Sequence, residues 1–179
     1  AFPLRGKFLN VAGMPPSKVI QNKEVQSLLN AIGLRLGEEP ENLRYGKILI
    51  YSDADPDGDS IAGLLTNFFG RYWPELLEKR MLYRVMTPLV VAEKKNERKM
   101  FYTNEEFDSW SKSSSTKGWD VSYKKGLAAL EDPEYRDIIR NPKMFALVPG
   151  EDLEQALEDW FGKDADIRKK KMMGGSSHE

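Results

Sequence analysis

The chain has 179 residues, 40% hydrophobic and 31% charged, with 27 basic and 28 acidic side chains and a formal net charge of −1. That suits one domain with a small appendage, and a charge balance this even points neither toward nor away from nucleic acid, so any basic footprint must be local. Cysteine is absent and the only histidine is His178, which excludes disulfides, thiolate metal sites and cysteine nucleophiles and leaves little basis for histidine chemistry; no apolar run approaches the roughly 20 residues of a membrane span, and no signal peptide is visible.

In chain order, "GKFLNVAG" (6–13) reads as a short strand. Residues 15–37 read as a helix with Ser17 as its cap, an apolar face at Val19, Val25, Leu28, Leu29 and Ile32, and Gly33 or Gly37 as its stop. "GKILIYS" (46–52) is the nearly continuous apolar run of a buried parallel strand. Residues 58–73 carry apolar side chains at helical spacing. Strands are predicted over 81–95 and 99–103, a helix over 104–113 capped by Asn104, and a flexible loop over 113–118. A strand over 119–126 follows, then helices over 132–141, 150–162 and 164–173. Elements alternate in the first half and mix in the second, without an internal repeat. The expected division is 1–95 as a core, 96–173 as its continuation and tail, and 174–179 as a disordered or non-native end.

The stretch "DADPDGDS" (53–60) falls between the predicted strand and helix, where open α/β sheets build ligand sites. Like charges at Asp53, Asp55 and Asp57 raise one another's electrostatic cost, so a cation is expected to offset them. An EF-hand loop does not fit. Position eight is Ser60, position twelve is Leu64 rather than Glu, and the preceding segment is a strand. One aspartate could cap the helix, and three or four are more than a cap needs. A strand-end carboxylate cluster suits Mg²⁺, which takes one or two protein carboxylates and fills its octahedron with water and phosphate oxygens. A phosphotransferase of the D-x-D type remains an alternative.

"PLRGKFLNV" (3–11), "NKEVQSLLNAIGL" (22–34), "LRYGKILIYSDADPDG" (43–58) and "KKGLAALEDPEYRDIIRNP" (124–142) together resemble, in order and spacing, the TOPRIM region of the gyrase B-type (ATPase) subunit of type II DNA topoisomerases. "DADIRKKKMM" (164–173) resembles that subunit's end in bacteria. The short region before "KKGL" and the "WPELLEKR" segment look most like tailed-bacteriophage versions. The chain departs from the family at Asp59 and Ser60, where a small residue and His are usual, and at Ala128, where the family has Gly. The family's E-G-x-S-A motif, which carries a catalytic Glu, normally precedes "PLRGK"; here it is expected upstream or on a separate chain.

The resemblance implies an α/β fold: a Rossmann-like parallel TOPRIM sheet flanked by helices, with a mixed α+β C-terminal part. It implies Mg²⁺-assisted, reversible cleavage of double-stranded DNA by a tyrosine on a partner cleavage subunit. ATP is used by the whole enzyme and bound outside this chain, and the location is cytoplasmic (host cytoplasm for a phage). Asp53, Asp55 and Asp57 match the metal-binding carboxylates, with Asp53 and Asp55 facing one side if strand geometry persists. Lys125 matches the lysine beside the scissile phosphate, and Arg5, Lys7 and Lys125 are the implied DNA contacts. Tyr45 precedes the strand as a structural residue, and the other tyrosines read as core. A module that keeps the fold for DNA binding or assembly without the chemistry is the competing reading. The basic run Arg168–Lys171 reads as a solvated helix end.

Overall fold

The computed structural model describes residues 1–113 and 116–174. Among them the chain runs α1 (Pro16–Val19), α2 (Lys23–Ile32), β1 (Ile48–Tyr51), α3 (Pro56–Tyr72), α4 (Pro74–Glu78), β2 (Leu82–Val85), β3 (Val90–Lys94), β4 (Glu97–Phe101) and α5 (Asn104–Ser113). It continues through β5 (Asp120–Tyr123), a 3₁₀ turn (Leu127–Ala129), α6 (Asp132–Arg140), β6 (Met144–Ala146), α7 (Leu153–Phe161) and α8 (Ala165–Gly174). The fold is mixed α/β. One sheet has the order β1-β2-β6, with α3 and α4 lying between β1 and β2 in the chain. The other has the order β4-β3-β5 and is antiparallel throughout. No helix among the described residues is long and apolar enough to cross a membrane. The expected loop at 113–118 falls partly outside the described residues, at 114–115, and the expected end segment falls outside them from 175 onward.

Several predicted elements need correction. Residues 6–13 form no strand. The buried side chains there are Phe8, Val11 and Ala12, a spacing that does not alternate, and a turn closes with the Met14 amide donating to the Val11 carbonyl. The 15–37 helix is two helices. Pro16 opens α1 without a side-chain cap, so Ser17 is not one. Asn22 interrupts the helix and caps α2, its side-chain oxygen accepting from the amides of Glu24 and Val25. Gly33, in the left-handed conformation, ends α2. The 81–95 strand breaks around Pro88, which cannot donate to a ladder. Thr103, not Asn104, caps α5: its hydroxyl accepts from the Glu106 amide while Glu106 reaches back to the Tyr102 amide. The strand β6 and the 3₁₀ turn were not anticipated.

The chain divides into two compact units, each discontinuous in sequence. The first comprises Ala1–Ile48, Ile61–Tyr83 and the chain from Ala146. Its core is aromatic. Phe68 meets Phe8, Phe69, Tyr72 and Trp73 at centroid distances of 5.1–5.7 Å in edge-on contacts. Val19, Val25, Leu76 and Leu77 are buried with them, each worth on the order of 1.5–3 kcal/mol of burial. A polar thread runs through the same unit: Asn67 donates to Asn10, and Arg71 donates to Asn67 and pairs with Glu158.

The second unit comprises Leu49–Ser60 and Arg84–Phe145. The β3–β4 register places Val90, Ala92 and Phe101 on one face, where Phe107 and Trp110 of α5 and Trp119 and Val121 cover them. Met100, on the opposite face, joins Val85, Leu130 and Ile138 in a second cluster. Leu49 and Tyr51 of β1, Leu127 of the 3₁₀ turn and Tyr135 of α6 pack against that cluster. The end of β1, the turn and α6 therefore share one small core, which positions the site.

Candidate metal and DNA site

β1 ends at Tyr51 and α3 begins at Pro56, so strand geometry does not persist through the acidic stretch. Asp53 and Asp55 occupy the connecting turn, and Asp57 and Asp59 lie in the first turn of α3. The four carboxylates do different work. Asp55 caps α3: its Oδ1 accepts from the Gly58 amide at 2.7 Å, and Pro56 takes the first helical position, where a missing N–H costs nothing. Asp53 Oδ1 accepts from the Leu127 amide at 2.6 Å. Asp59, the residue that departs from the family, pairs with Arg84 at 2.5 Å. Asp57 is exposed at the helix N-terminus, where the helix dipole favours negative charge.

Two glycines allow this arrangement. A Cβ on Gly58 would stand 2.0 Å from the Asp53 carbonyl oxygen, so only glycine lets the first turn of α3 lie on the Asp53 backbone. A Cβ on Gly126 would stand 2.7 Å from Asp53 Oδ2 and 2.9 Å from Oδ1, so only glycine leaves room for the carboxylate. The acidic stretch and "KKGL", far apart in sequence, thus meet at Asp53. Ala128, where the family has glycine, is exposed in the turn and meets no such constraint.

The two lysines of "KKGL" separate. Lys124 turns inward to Glu134, with Nζ 2.9 Å from Oε1 and side chains only 8% and 3% exposed. Lys125 is exposed and has no ion-pair partner among the described residues, leaving its ammonium able to meet a phosphate. Arg5 and Lys7 are also exposed but belong to the other unit; the Arg5 amide donates to Glu24 at 3.2 Å. Glu134, Arg84 and the Leu127 amide gave no signal in the sequence, where Lys124 stood only as the neighbour of Lys125. Only the double lysine and the glycine signalled that this turn approaches something closely.

Among the described residues no three acidic side chains converge as a ready-made metal cage. Asp53 and Asp55 each engage one oxygen with a backbone amide, leaving Oδ2 of each for another ligand. Two carboxylates with remaining oxygens at an exposed turn fit Mg²⁺, whose other positions go to water and phosphate oxygens. Next to Asp53 in the chain, the Ser52 hydroxyl is buried without a hydrogen-bond partner among the described residues.

The tyrosines only partly match expectation. Tyr51 and Tyr135 pack in the core of the second unit, and burial raises the Tyr51 phenol above its ordinary pKa. Tyr45 and Tyr123, expected to be structural or core, are 60% and 67% exposed. Tyr45 lies outside regular elements, and Tyr123 ends β5 with its ring in a T-shaped contact with Phe107.

Residues 85–178 match the family model described as the C-terminal associated domain of TOPRIM. The chain is 40% identical over 162 residues to DNA topoisomerase 2-beta of Gallus gallus, covering 84% of this chain and 10% of that protein. It is 34% identical over 170 residues to DNA topoisomerase 2 of Plasmodium falciparum, covering 90% and 12% respectively. The crystal structure of the Plasmodium falciparum topoisomerase II DNA-binding, cleavage and re-ligation domain superposes with a TM-score of 0.79 at 31% identity, over 96% of this chain and 24% of that one. The chain thus spans about a tenth of the length of these curated relatives, and they are eukaryotic rather than gyrase B-type or phage proteins. On this likeness the chain belongs to the family of the TOPRIM C-terminal associated domain, within the type II DNA topoisomerases.

Proposed function

We propose that this chain is the metal-site segment of a type II DNA topoisomerase, assisting reversible double-strand cleavage by a tyrosine carried elsewhere. The observation that supports this best is the contact between Asp53 and the Leu127 amide, which brings the acidic stretch and the lysine turn into one site. Asp53 and Asp55 would hold Mg²⁺ directly, and Asp57 directly or through water. When bound, the ion would supply charge stabilisation at a non-bridging phosphate oxygen and at the leaving 3′-oxygen. The protein's own part is to fix the carboxylates by backbone hydrogen bonds before substrate arrives and to offer Lys125 to the phosphate. Arg5 and Lys7 would add contacts to the DNA backbone.

The tyrosine, a catalytic Glu and the ATP site are placed outside this chain, in the same polypeptide or on a partner subunit. The gyrase B-type resemblance rests on the four sequence motifs and the phage resemblance on the short region before "KKGL" and on "WPELLEKR", whereas the eukaryotic relatives, of which this chain spans about a tenth, favour one long polypeptide. A fold kept for assembly is the second reading, favoured by the structural work Asp55 and Asp59 do as cap and ion-pair partner.

The test is a plasmid assay in Mg²⁺. The chain alone should give no covalent DNA–protein adduct and no ATP hydrolysis. Cleavage should appear when the tyrosine-bearing and Glu-bearing segments are supplied. Adducts on this chain alone would overturn the assignment, and cleavage by the other segments without this chain would favour the assembly reading.

A further inference from the structure

Leu127 is pinned at both ends. Its amide donates to Asp53 Oδ1, and its carbonyl accepts from the amide of Leu130 and from the Tyr135 hydroxyl. Both lone pairs of that carbonyl are therefore used. Three residues upstream, Lys124 is anchored to Glu134, the neighbour of Tyr135 on α6. Glu134 also reaches back to the Glu131 amide at 2.7 Å as part of the box that starts α6. One turn of α6 thus grips the 124–127 loop at both ends, with Lys125 and Gly126 held between.

A buried ion pair such as Lys124–Glu134 is weak as a source of stability, since desolvation offsets most of the attraction. A fully satisfied polar network does fix geometry, and here the geometry it fixes is that of the only backbone donor on Asp53 Oδ1 among the described residues.

We infer that Tyr135, supported by Glu134, is a positioning residue for the Asp53 carboxylate, acting through the Leu127 peptide. Neither α6 side chain needs to touch metal or DNA. Each sets the Leu127 peptide, and that peptide sets which Asp53 oxygen remains for a ligand. For the metal this rests on the function proposed above; for the carboxylate it stands on the hydrogen bonds themselves.

The test uses Tyr135→Phe in the full chain, which keeps the ring in its core and removes only the hydroxyl. Expected in metal-free protein are an upfield move of the Leu127 amide proton and a changed Asp53 carboxyl ¹³C shift, with other core signals in place. Mn²⁺, followed by its relaxation of nearby amides, should bind about tenfold more weakly, as is usual when a partner behind a metal ligand is lost. Asp53→Ala, read from the opposite end, removes the acceptor of the Leu127 amide and should perturb the Tyr135 ring signals, which keeps the inference testable should the first variant not fold. Unchanged Leu127 and Asp53 signals in Tyr135→Phe, or an undisturbed Tyr135 in Asp53→Ala, would overturn it. Failure of the wild-type chain to bind Mn²⁺ near Asp53, with the metal-free shifts as expected, would count against the proposed function and leave the positioning role standing.

Discussion

Leu127 donates its amide to Asp53 Oδ1 across 74 residues of chain, and Gly126 makes the meeting possible. A methyl group at 126 would sit within 2.9 Å of both carboxylate oxygens. The Gly126 backbone is extended and costs an alanine nothing by itself, so the penalty falls on the carboxylate.

Gly126→Ala is therefore expected to fold and to push the Asp53 side chain off the Leu127 amide. Mn²⁺ affinity should fall by about tenfold or more, on the scale of lost metal-ligand support. Ala128→Gly, in the same turn but exposed, should leave the affinity unchanged. Calorimetric titration of both variants checks the contrast.

The adjacent lysines should behave oppositely. Lys124→Ala leaves Glu134 buried without its counter-charge, which costs about 3–5 kcal/mol, and denaturant unfolding should show it. Lys125→Ala should stay within about 0.5 kcal/mol of wild type. It should instead make DNA binding less salt-sensitive, by roughly 0.9 in the slope of log K against log salt. Equal stability losses in the two variants would contradict the inward and outward assignment.

Much of this arrangement was legible in the sequence and some was not, for identifiable reasons. The helices α3, α5, α6 and α7 announced themselves by apolar spacing, Pro at a first turn and acidic starts. The 6–13 strand failed because Phe8, Val11 and Ala12 are buried without alternation. The break in the first long helix was hidden because Asn22 reads equally as surface or cap until its oxygen is seen accepting from two amides. At the site, three aspartates at alternate positions suggested one shared task. The fold gives Asp55 to a helix cap and holds Asp53 by a residue 74 positions away, and no local pattern encodes a contact of that range. Which of two neighbouring lysines turns inward depended on Glu134, a residue that looked like an ordinary helix-surface acid.

The Ser52 hydroxyl is buried and has no hydrogen-bond partner among the described residues; a hydroxyl left so costs about 1–3 kcal/mol. Ser52→Ala is expected to raise the melting temperature by a few degrees. A fall instead would reveal a partner, such as a bound water.

α7 and α8 are joined by Lys171 Nζ on Asp159 at 2.5 Å. The hydrogen bond from Lys171, then that from Gln155, holds the Asp159 carboxyl below its ordinary pKa. The folded state thus binds this proton more weakly than the unfolded chain does. The stabilisation is fully present above the unfolded aspartate value, about 3.9, and is lost as pH falls through the lower folded value. Hydrogen-exchange protection of α8 should hold from neutral pH down to about 4 and decline below it. Lys171→Met should show reduced protection already at pH 7.

The most direct measurement is Mg²⁺-dependent DNA cleavage by the assembled enzyme carrying Asp53→Asn or Asp55→Asn, with thermal unfolding in parallel. Asparagine keeps an oxygen to accept from Leu127 or Gly58 and is itself a good helix cap, so both variants should melt close to wild type. With a metal-binding charge removed, cleavage should fall by more than about a hundredfold at limiting Mg²⁺. Wild-type cleavage with either asparagine in place would contradict the metal assignment and leave the aspartates as parts of the architecture alone.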